Sequence, residues 1–246
     1  MPLTPERILM VRRYAMNFDG IDDYVNCGNV QSFNILTAEA WVNIYEDSYG
    51  FIVGQVSPRW TYGWWIRKVD ISSGNRIGFG IAKGIDWSYT EISLNSSPQD
   101  RLWHHYVGVF DGRIMYGYRD GALVSSITPT TPTPQQIGPV YLGYNNVDNR
   151  YFKGLIAVVR IYNRALSSYE IVWNYRHPND PVKDGLVLWL QAHPDNVKDI
   201  DNDGILEWID LSGYNNHGKI YGAVLTKVVK DSIAVSPSKR ILSVVE

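Results

Sequence analysis

The strongest constraint on the fold is a two-residue alternation of side-chain types that recurs over residues 14–165 and is interrupted by short turn sequences. In residues 37–44, alanine, valine and isoleucine occupy the even positions, whereas threonine, glutamate, tryptophan and asparagine occupy the odd ones. Successive side chains of a β-strand point to opposite faces, so this pattern predicts a half-buried strand. Residues 103–110 show the same two-residue alternation and predict another strand.

Asp-Gly pairs at positions 19–20, 111–112 and 120–121 mark turns between these strands. Both residue types tolerate positive φ, which makes Asp-Gly between alternating runs a strong hairpin signal. Residues 107–127 are therefore predicted to form a three-stranded meander. Many short strands at regular turn spacing favour an all-β sandwich or barrel over a parallel α/β fold.

One short helix is predicted. Ser167 and Glu170 have the spacing of a capping box, and residues 169–175 follow before Pro178 and Pro181. About two turns of helix fit this segment.

The pattern of the sequence changes near residue 181, so we divide the chain into a main domain at 1–180 and a C-terminal extension at 181–246. The extension combines an apolar run, an acidic segment and two further strand candidates at 218–225 and 241–245. It is too short to bury a core of its own. We expect it to pack on the main sandwich or on a neighbouring copy.

Five segments resemble, in the same order, successive strands and the closing helix of the laminin-G-like, concanavalin A-like lectin/glucanase jelly-roll family. They are residues 15–25, 38–42, 103–107, 151–154 and 160–171. The resemblance implies an antiparallel two-sheet jelly roll, usually secreted or surface-displayed, that binds glycans or proteins without catalysis. It also implies calcium near Asp19, Gly20 and Asp22. Relatives often carry acidic residues where this chain has the apolar segment 155–159, which predicts that this calcium site is weakened or absent.

Segments 184–190, 210–218 and 220–223 resemble parts that usually precede the opening strand of this family, yet here they come last. Three arrangements follow from that order. The extension folds back as a permuted edge, begins a truncated second copy, or completes the sheet of the next subunit.

The acidic segment of the extension has the spacing of a calcium loop. Carboxylates fall at loop positions one, three, five, nine and twelve, and Gly204 falls at position six, where a sharp turn is needed. Position twelve is aspartate and no helices flank the loop, so we predict a helix-free calcium clip and not an EF-hand. The alternative is a solvated acidic loop. The predicted oxygen ligands are Asp199, Asp201, Asp203, the Ile205 carbonyl, Glu207 and Asp210.

Aromatic side chains near strand ends suggest a ligand-binding patch made of Trp60, Tyr62, Trp87 and Tyr89. Exposed Trp and Tyr rings stack on sugars, while neighbouring polar groups bind hydroxyls. The alternative is core packing. For the adjacent pair Trp64 and Trp65, one ring is expected to point inward.

Other functions find little support. A net charge of −2 argues against nucleic acid and anionic membranes, and no apolar run approaches the roughly 20 residues needed to span a bilayer. The single cysteine, Cys27, excludes an intrachain disulfide. No histidine pair has metal-ligand spacing, and no nucleophile or paired-carboxylate motif indicates an enzyme.

These observations predict a non-catalytic, calcium-stabilised extracellular binding module for carbohydrate recognition or surface adhesion. We expect an extracellular, cell-surface or virion location. The first 16 residues have arginines but no continuous apolar core, so they do not form a signal peptide. Either the numbering starts after a removed leader, or the protein reaches the outside by another route, such as inside a virion. The alternative is a self-assembling structural subunit, a homo-oligomer whose extension completes a neighbour's sheet.

Overall fold

The computed structural model describes residues 13–31, 33–45, 50–69, 74–82, 84, 88–96, 101–130 and 138–228. Two antiparallel sheets pack face to face, and one α-helix, α1 (Ser168–Arg176), lies outside them. The predicted all-β, two-sheet sandwich with one short helix is confirmed. The strands are β1 (Tyr14–Asp19), β2 (Tyr24–Asn26), β3 (Leu36–Ile44), β4 (Gly50–Val56), β5 (Gly63–Lys68), β6 (Ile77–Ala82), β7 (Tyr89–Asn95), β8 (Trp103–Phe110), β9 (Met115–Arg119), β10 (Ala122–Ile127), β11 (Tyr141–Leu142), β12 (Tyr144–Asn145), β13 (Arg150–Tyr151), β14 (Lys153–Tyr162), β15 (Leu186–Gln191), β16 (Val197–Lys198), β17 (Glu207–Trp208), β18 (Gly218–Tyr221) and β19 (Val224–Lys227).

Sheet A has the order β10-β9-β8-β3-β14-β1-β19, and β15 also pairs with β14. Sheet B has the order β16-β17-β18-β2-β11-β4-β5-β6-β7. Strands β12 and β13 form a separate two-stranded hairpin. The core lies between the sheets, with Ala40 and Val42 of sheet A and Trp64 and Phe79 of sheet B among its members.

Strand β3 departs from the half-buried prediction, because all nine of its residues are buried. The even positions face the core, as the alternation predicts. The odd positions are buried on the outer face, where Trp41 stacks on Tyr175 of α1 at a centroid distance of 5.3 Å. A helix that covers the second face of a sheet leaves no solvent-facing side.

Helix α1 has the predicted capping box. The Ser167 hydroxyl accepts from the Glu170 N–H, and the Glu170 carboxylate accepts from the Ser167 N–H. Ile171 packs with Val107 and Tyr162 on the outer face of sheet A. No helix in the described ranges has the length and apolar character needed to cross a membrane.

The meander over β8, β9 and β10 is confirmed, with turns at 111–112 and 120–121. Asp120 and Gly121 both have positive φ, at 52° and 80°. The Asp-Gly pair at 19–20 also lies at a turn, but this turn does not form a hairpin. After Gly20 the chain passes from β1 in sheet A to β2 in sheet B, so the turn joins the two layers.

The extension pairs with the main sandwich of its own chain. Strand β15 pairs with β14, β19 with β1, and β18 with β2, all antiparallel. The extension thus widens both sheets, and of the three arrangements the structure shows the permuted edge. The strand candidate at 241–245 lies outside the described residues.

Candidate functional site

The acidic loop joins β16 to β17, which pair with each other at the edge of sheet B. Its carboxylates turn inward and accept backbone N–H groups of the loop itself. Gly204 N donates to Asp199 Oδ2 at 3.1 Å, and Ile200 N donates to Glu207 Oε2 at 2.8 Å. Gly204 has φ of 85°, which suits the predicted glycine at the sharp turn.

Three carboxylates of this loop converge. Ligand atoms of Asp199, Asp201 and Glu207 all lie within 4.8 Å of one another. Asp199 Oδ1 is buried and has no hydrogen-bond partner among the described residues, and Glu207 is 4% exposed. Calcium takes about six to eight oxygen ligands, so this donor set fits a hard cation.

Lys219 of β18 lies on the open side of the same cluster. Its ammonium group is 2.9 Å from Asp201 Oδ2, also bonds Asp203 Oδ2, and is 3.9 Å from Glu207 Oε1. The hydrogen bond from Lys219 lowers the pKa of Asp203. Asp203 Oδ1 accepts from Ile205 N at 2.8 Å, which places the half-buried Ile205 beside the cluster.

Two predicted carboxylates, Asp203 and Asp210, lie outside the three-carboxylate cluster, and Asp210 has hydrogen-bond partners elsewhere. Its Oδ1 accepts from Trp189 N and its Oδ2 from Asn216 N, at 2.9 and 3.0 Å, and Ser212 bonds both oxygens. These bonds tie the loop after β17 to β15. Glu207, at loop position nine, is therefore the third carboxylate of the cluster, and Asp210, at position twelve, is not part of it.

A second acidic cluster lies at the turn between β1 and β2. Ligand atoms of Asp19, Asp22 and Asp23 lie within 4.8 Å of one another. Asp23 Oδ2 accepts from Asp19 N at 2.8 Å. Burial raises the pKa of Asp23, and the neighbouring carboxylates add to this against the backbone hydrogen bond. Gly20, with φ of 83°, packs against Lys153. Asp23 was missing from the predicted set, although it directly follows Asp22.

Only part of the predicted aromatic patch is exposed to solvent. Trp60 is 3% exposed and packs with Phe51 and Trp65, so it is not a stacking ring. The 3₁₀ turn Pro58–Trp60 folds back onto sheet B and buries the indole. Tyr62 is half-buried and Tyr89 is 38% exposed. Trp87 lies outside the described residues.

A polar network holds Tyr89 in place on the outer face of sheet B. Glu91 accepts from Arg67 Nε at 2.6 Å, from Trp65 Nε1 at 2.8 Å and from Arg76 Nη2 at 2.9 Å. Arg67 Nη2 donates to the Tyr89 hydroxyl at 3.1 Å. Trp64 points into the core, as expected for one of the pair, but Trp65 is buried as well.

Strand register places one row of residues across the outer face of sheet B, from the acidic loop to this network. Each member pairs with the next on the adjacent strand. The row is Glu207, Lys219, Asn26, Tyr141, Gly54, Trp65, Gly80 and Glu91. The acidic cluster and the aromatic side chains therefore share one face of the molecule.

Sequence reasoning missed a group of five half-buried tyrosines on this face, here called the tyrosine cluster: Tyr24, Tyr141, Tyr144, Tyr151 and Tyr221. Ring centroids of Tyr24 and Tyr221 are 4.6 Å apart, those of Tyr24 and Tyr144 are 5.4 Å apart, and those of Tyr144 and Tyr151 are 4.8 Å apart. Tyr141 meets Tyr144 edge-on at 5.4 Å. Alternation with core residues such as Val25 and Leu142 could have assigned Tyr24 and Tyr141 to the outer face, but not their contact.

The family model of the concanavalin A-like lectin/glucanases superfamily matches residues 19–172, more than half of the 246-residue chain. The chain belongs to this superfamily. Comparison with curated proteins found no match.

Solved structures share this concanavalin A-like fold. A candidate carbohydrate-binding protein from Bacteroides ovatus is 16% identical with a TM-score of 0.62, and the match covers 88% of this chain and 60% of that one. A heptameric SAP-like pentraxin from Limulus polyphemus is 14% identical with a TM-score of 0.53, over 67% of this chain and 82% of that one.

At these identities the likeness shows the fold alone, and the chain spans 60% of the length of the Bacteroides ovatus protein. That match covers 88% of the chain, so it necessarily includes part of residues 181–246. Part of the extension of this concanavalin A-like chain therefore belongs to a fold seen elsewhere.

Proposed function

We propose that this chain is a non-catalytic carbohydrate-binding module, displayed outside the cell, whose C-terminal extension is stabilised by calcium. The observation that carries the proposal is the outer face of sheet B. It presents half-exposed aromatic rings with hydroxyl groups, whereas helix α1 covers the part of the outer face of sheet A over β3, β8 and β14. Rings that combine apolar area with polar groups suit sugar recognition.

Membership of a lectin-like superfamily and the fold shared with a candidate carbohydrate-binding protein support the same function. The test is a glycan array probed with the whole chain, followed by calorimetry on the best ligands. Saturable binding of a defined set of glycans is expected. An array without any bound glycan in calcium-containing buffer would refute the proposal.

In the acidic loop, Asp199, Asp201, Asp203, Glu207 and the Ile205 carbonyl would hold the ion. Calcium would neutralise the clustered carboxylates and fix the loop between β16 and β17, which together form the edge of sheet B. Calorimetric titration of the chelator-treated protein with calcium tests this role. A single saturable site at the loop is expected, and no heat of binding would refute it.

A self-assembling structural subunit is the alternative. The expectation that the extension completes a neighbour's sheet loses support, because the extension pairs within its own chain. The edge strand β10 offers a different surface for assembly. Leu123, Val124 and Ile127 are 55%, 45% and 44% exposed, and β10 carries no charge or proline of the kind that blocks pairing at an edge. Light scattering of the wild-type protein tests this alternative. Assemblies that the variant Leu123→Lys dissociates would support it, and a monomeric wild-type protein would refute it.

A further inference from the structure

The tyrosine cluster is preorganised by contacts that do not involve a ligand. Tyr24 and Tyr144 lie at its centre, because the ring of each meets three other rings of the cluster. The Tyr144 hydroxyl is fixed by a hydrogen bond of 3.0 Å to Asn149 Oδ1. Tyrosine binds with little loss of side-chain entropy, so such a patch is suited to recognition.

Tyr24, Tyr141 and Tyr144 stay neutral and able to donate hydrogen bonds at physiological pH. Burial raises the pKa of Tyr24, Tyr141 and Tyr144, and neighbouring tyrosines raise each of them further. A ligand placed here meets several hydroxyl groups and ring edges at once.

Carboxylates lie beside the cluster at the turn between β1 and β2. Asp19, Asp22 and Asp23 directly precede Tyr24, and the Asp23 carboxylate lies against Gly222, next to Tyr221. On β18, the ammonium group of Lys219 is already engaged by Asp201 and Asp203.

Nearby basic groups do not reverse this balance. Lys153 lies opposite Asp19 in the sheet. Arg150 precedes Tyr151 in β13 and so points to the other side of that hairpin. Carboxylates accept hydrogen bonds from sugar hydroxyls but repel anionic sugars.

We propose that the tyrosine cluster is the glycan-binding site of this module and that it takes a neutral oligosaccharide, an inference that rests on the proposed function. The rings contact the apolar faces of the sugar units. The phenol groups and the bordering carboxylates bind the hydroxyl groups. The Tyr89 network, which is largely buried, contributes to the stability of sheet B instead.

The experiment is calorimetric titration of the whole chain with neutral hexasaccharides (cello-, xylo-, arabino- and malto-series) and with anionic oligogalacturonate and sialyllactose. At least one neutral series is expected to bind, and the anionic sugars are expected to bind more weakly. Tyr24→Ala and Tyr221→Ala should weaken neutral binding by about tenfold to thirtyfold, as central aromatic contacts do.

Two matched variants control for folding and for general aromatic effects. Tyr24→Phe keeps the ring and its packing, so a smaller but measurable loss from that variant would identify the hydroxyl as a contact. Tyr169→Ala removes a tyrosine that is 74% exposed on helix α1, away from sheet B, and should leave affinity unchanged. Thermal melting of each variant confirms that it is folded.

The outcomes separate the two proposals. Binding that survives Tyr24→Ala and Tyr221→Ala in folded protein but is lost with Tyr89→Ala would overturn the location and leave the carbohydrate-binding function intact. Tighter binding of the anionic sugars would overturn the ligand class. No binding of any glycan, on the array or in solution, would overturn both.

Discussion

Arg160 Nη1 donates a hydrogen bond of 2.6 Å to Glu39 Oε1, and both side chains are fully or almost fully buried beneath helix α1. The two residues are direct cross-strand partners on β14 and β3. Asn174 of α1 donates to both Glu39 oxygens at 3.2 Å, and His105 Nε2 of β8 lies 3.2 Å from Oε2. One carboxylate thus joins the helix to three strands of sheet A.

We expect Glu39→Gln to lower the free energy of unfolding by about 3–5 kcal/mol, because it leaves the buried charge of Arg160 without its counter-ion. Urea denaturation measures the loss. Asp184→Asn is the control, since that side chain is 84% exposed and pairs with Arg164 at 2.8 Å. An exposed pair is worth less than about 1 kcal/mol. Equal losses in the two variants would contradict the importance of the buried pair.

The same carboxylate predicts an acid-sensitive window. Burial alone would raise the pKa of Glu39, but Arg160 and His105 outweigh it and hold the pKa at about 2, against an ordinary 4.5. A depressed pKa in the folded state means that protons bind the unfolded chain more readily. The stabilisation is therefore complete above pH 4.5 and is lost as the pH falls from there towards 2.

Thermal melting from pH 7 to pH 2 should show this decline in the wild-type protein and a shallower one in Glu39→Gln. Some acid dependence should remain in the variant, because a hydrogen bond from Arg164 also holds the pKa of Glu170 at about 2. Parallel profiles for the two proteins would show that Glu39 does not titrate in this range.

Calcium should raise the thermal midpoint in a manner that depends on Asp201. A ligand at about 100 times its Kd stabilises the folded state by about 2.7 kcal/mol, or roughly 5 to 10 °C for a chain of this size. We expect Asp201→Asn to abolish most of this calcium-dependent shift while changing the chelator-treated protein little. Melting curves in calcium and in chelator provide the measurement.

Asp210→Asn should behave in the opposite way. Asp210 accepts backbone N–H groups of Trp189 and Asn216 and lies outside the cluster. Its loss should destabilise the protein in both buffers, by about 1–3 kcal/mol for the orphaned donors, and leave the calcium-dependent shift intact. If Asp210→Asn abolished the calcium-dependent shift in the thermal midpoint, Asp210 would be a calcium ligand, contrary to this prediction.

Gly80→Ala tests the packing on the outer face of sheet B. A methyl group at this position would overlap the Trp65 indole ring, which lies directly over the glycine. The ring must then move away from Glu91, to which its Nε1 donates at 2.8 Å. We expect a loss of about 1–3 kcal/mol, measured by urea denaturation. An unchanged free energy of unfolding would show that the ring has room to shift.

Local sequence patterns predicted the elements of this fold well. Alternation placed the strand that became β8 at its observed bounds, Trp103–Phe110, and the Ser167 capping box located the helix. These signals succeed because strand periodicity and helix capping depend on residues a few positions apart. The acidic loop was visible for the same reason, since its carboxylates and glycine lie in one short segment.

The tertiary structure decided which surfaces and which partners these elements have. Trp60 became buried because a 3₁₀ turn folds over Trp65. Asp210 accepts a hydrogen bond from Trp189 of β15 and lies outside the acidic cluster, whose third carboxylate is Glu207.

The tyrosine cluster shows the same limit most clearly. Tyr24 and Tyr221 lie near opposite ends of the described chain and meet only because β18 pairs with β2. Alternation shows which side of its own strand a residue occupies, but pairing between distant strands depends on the packing of the whole chain. The residues of this chain and their local order determined its strands, helix and acidic loop, whereas the long-range pairing of the extension assembled the face proposed to bind sugar.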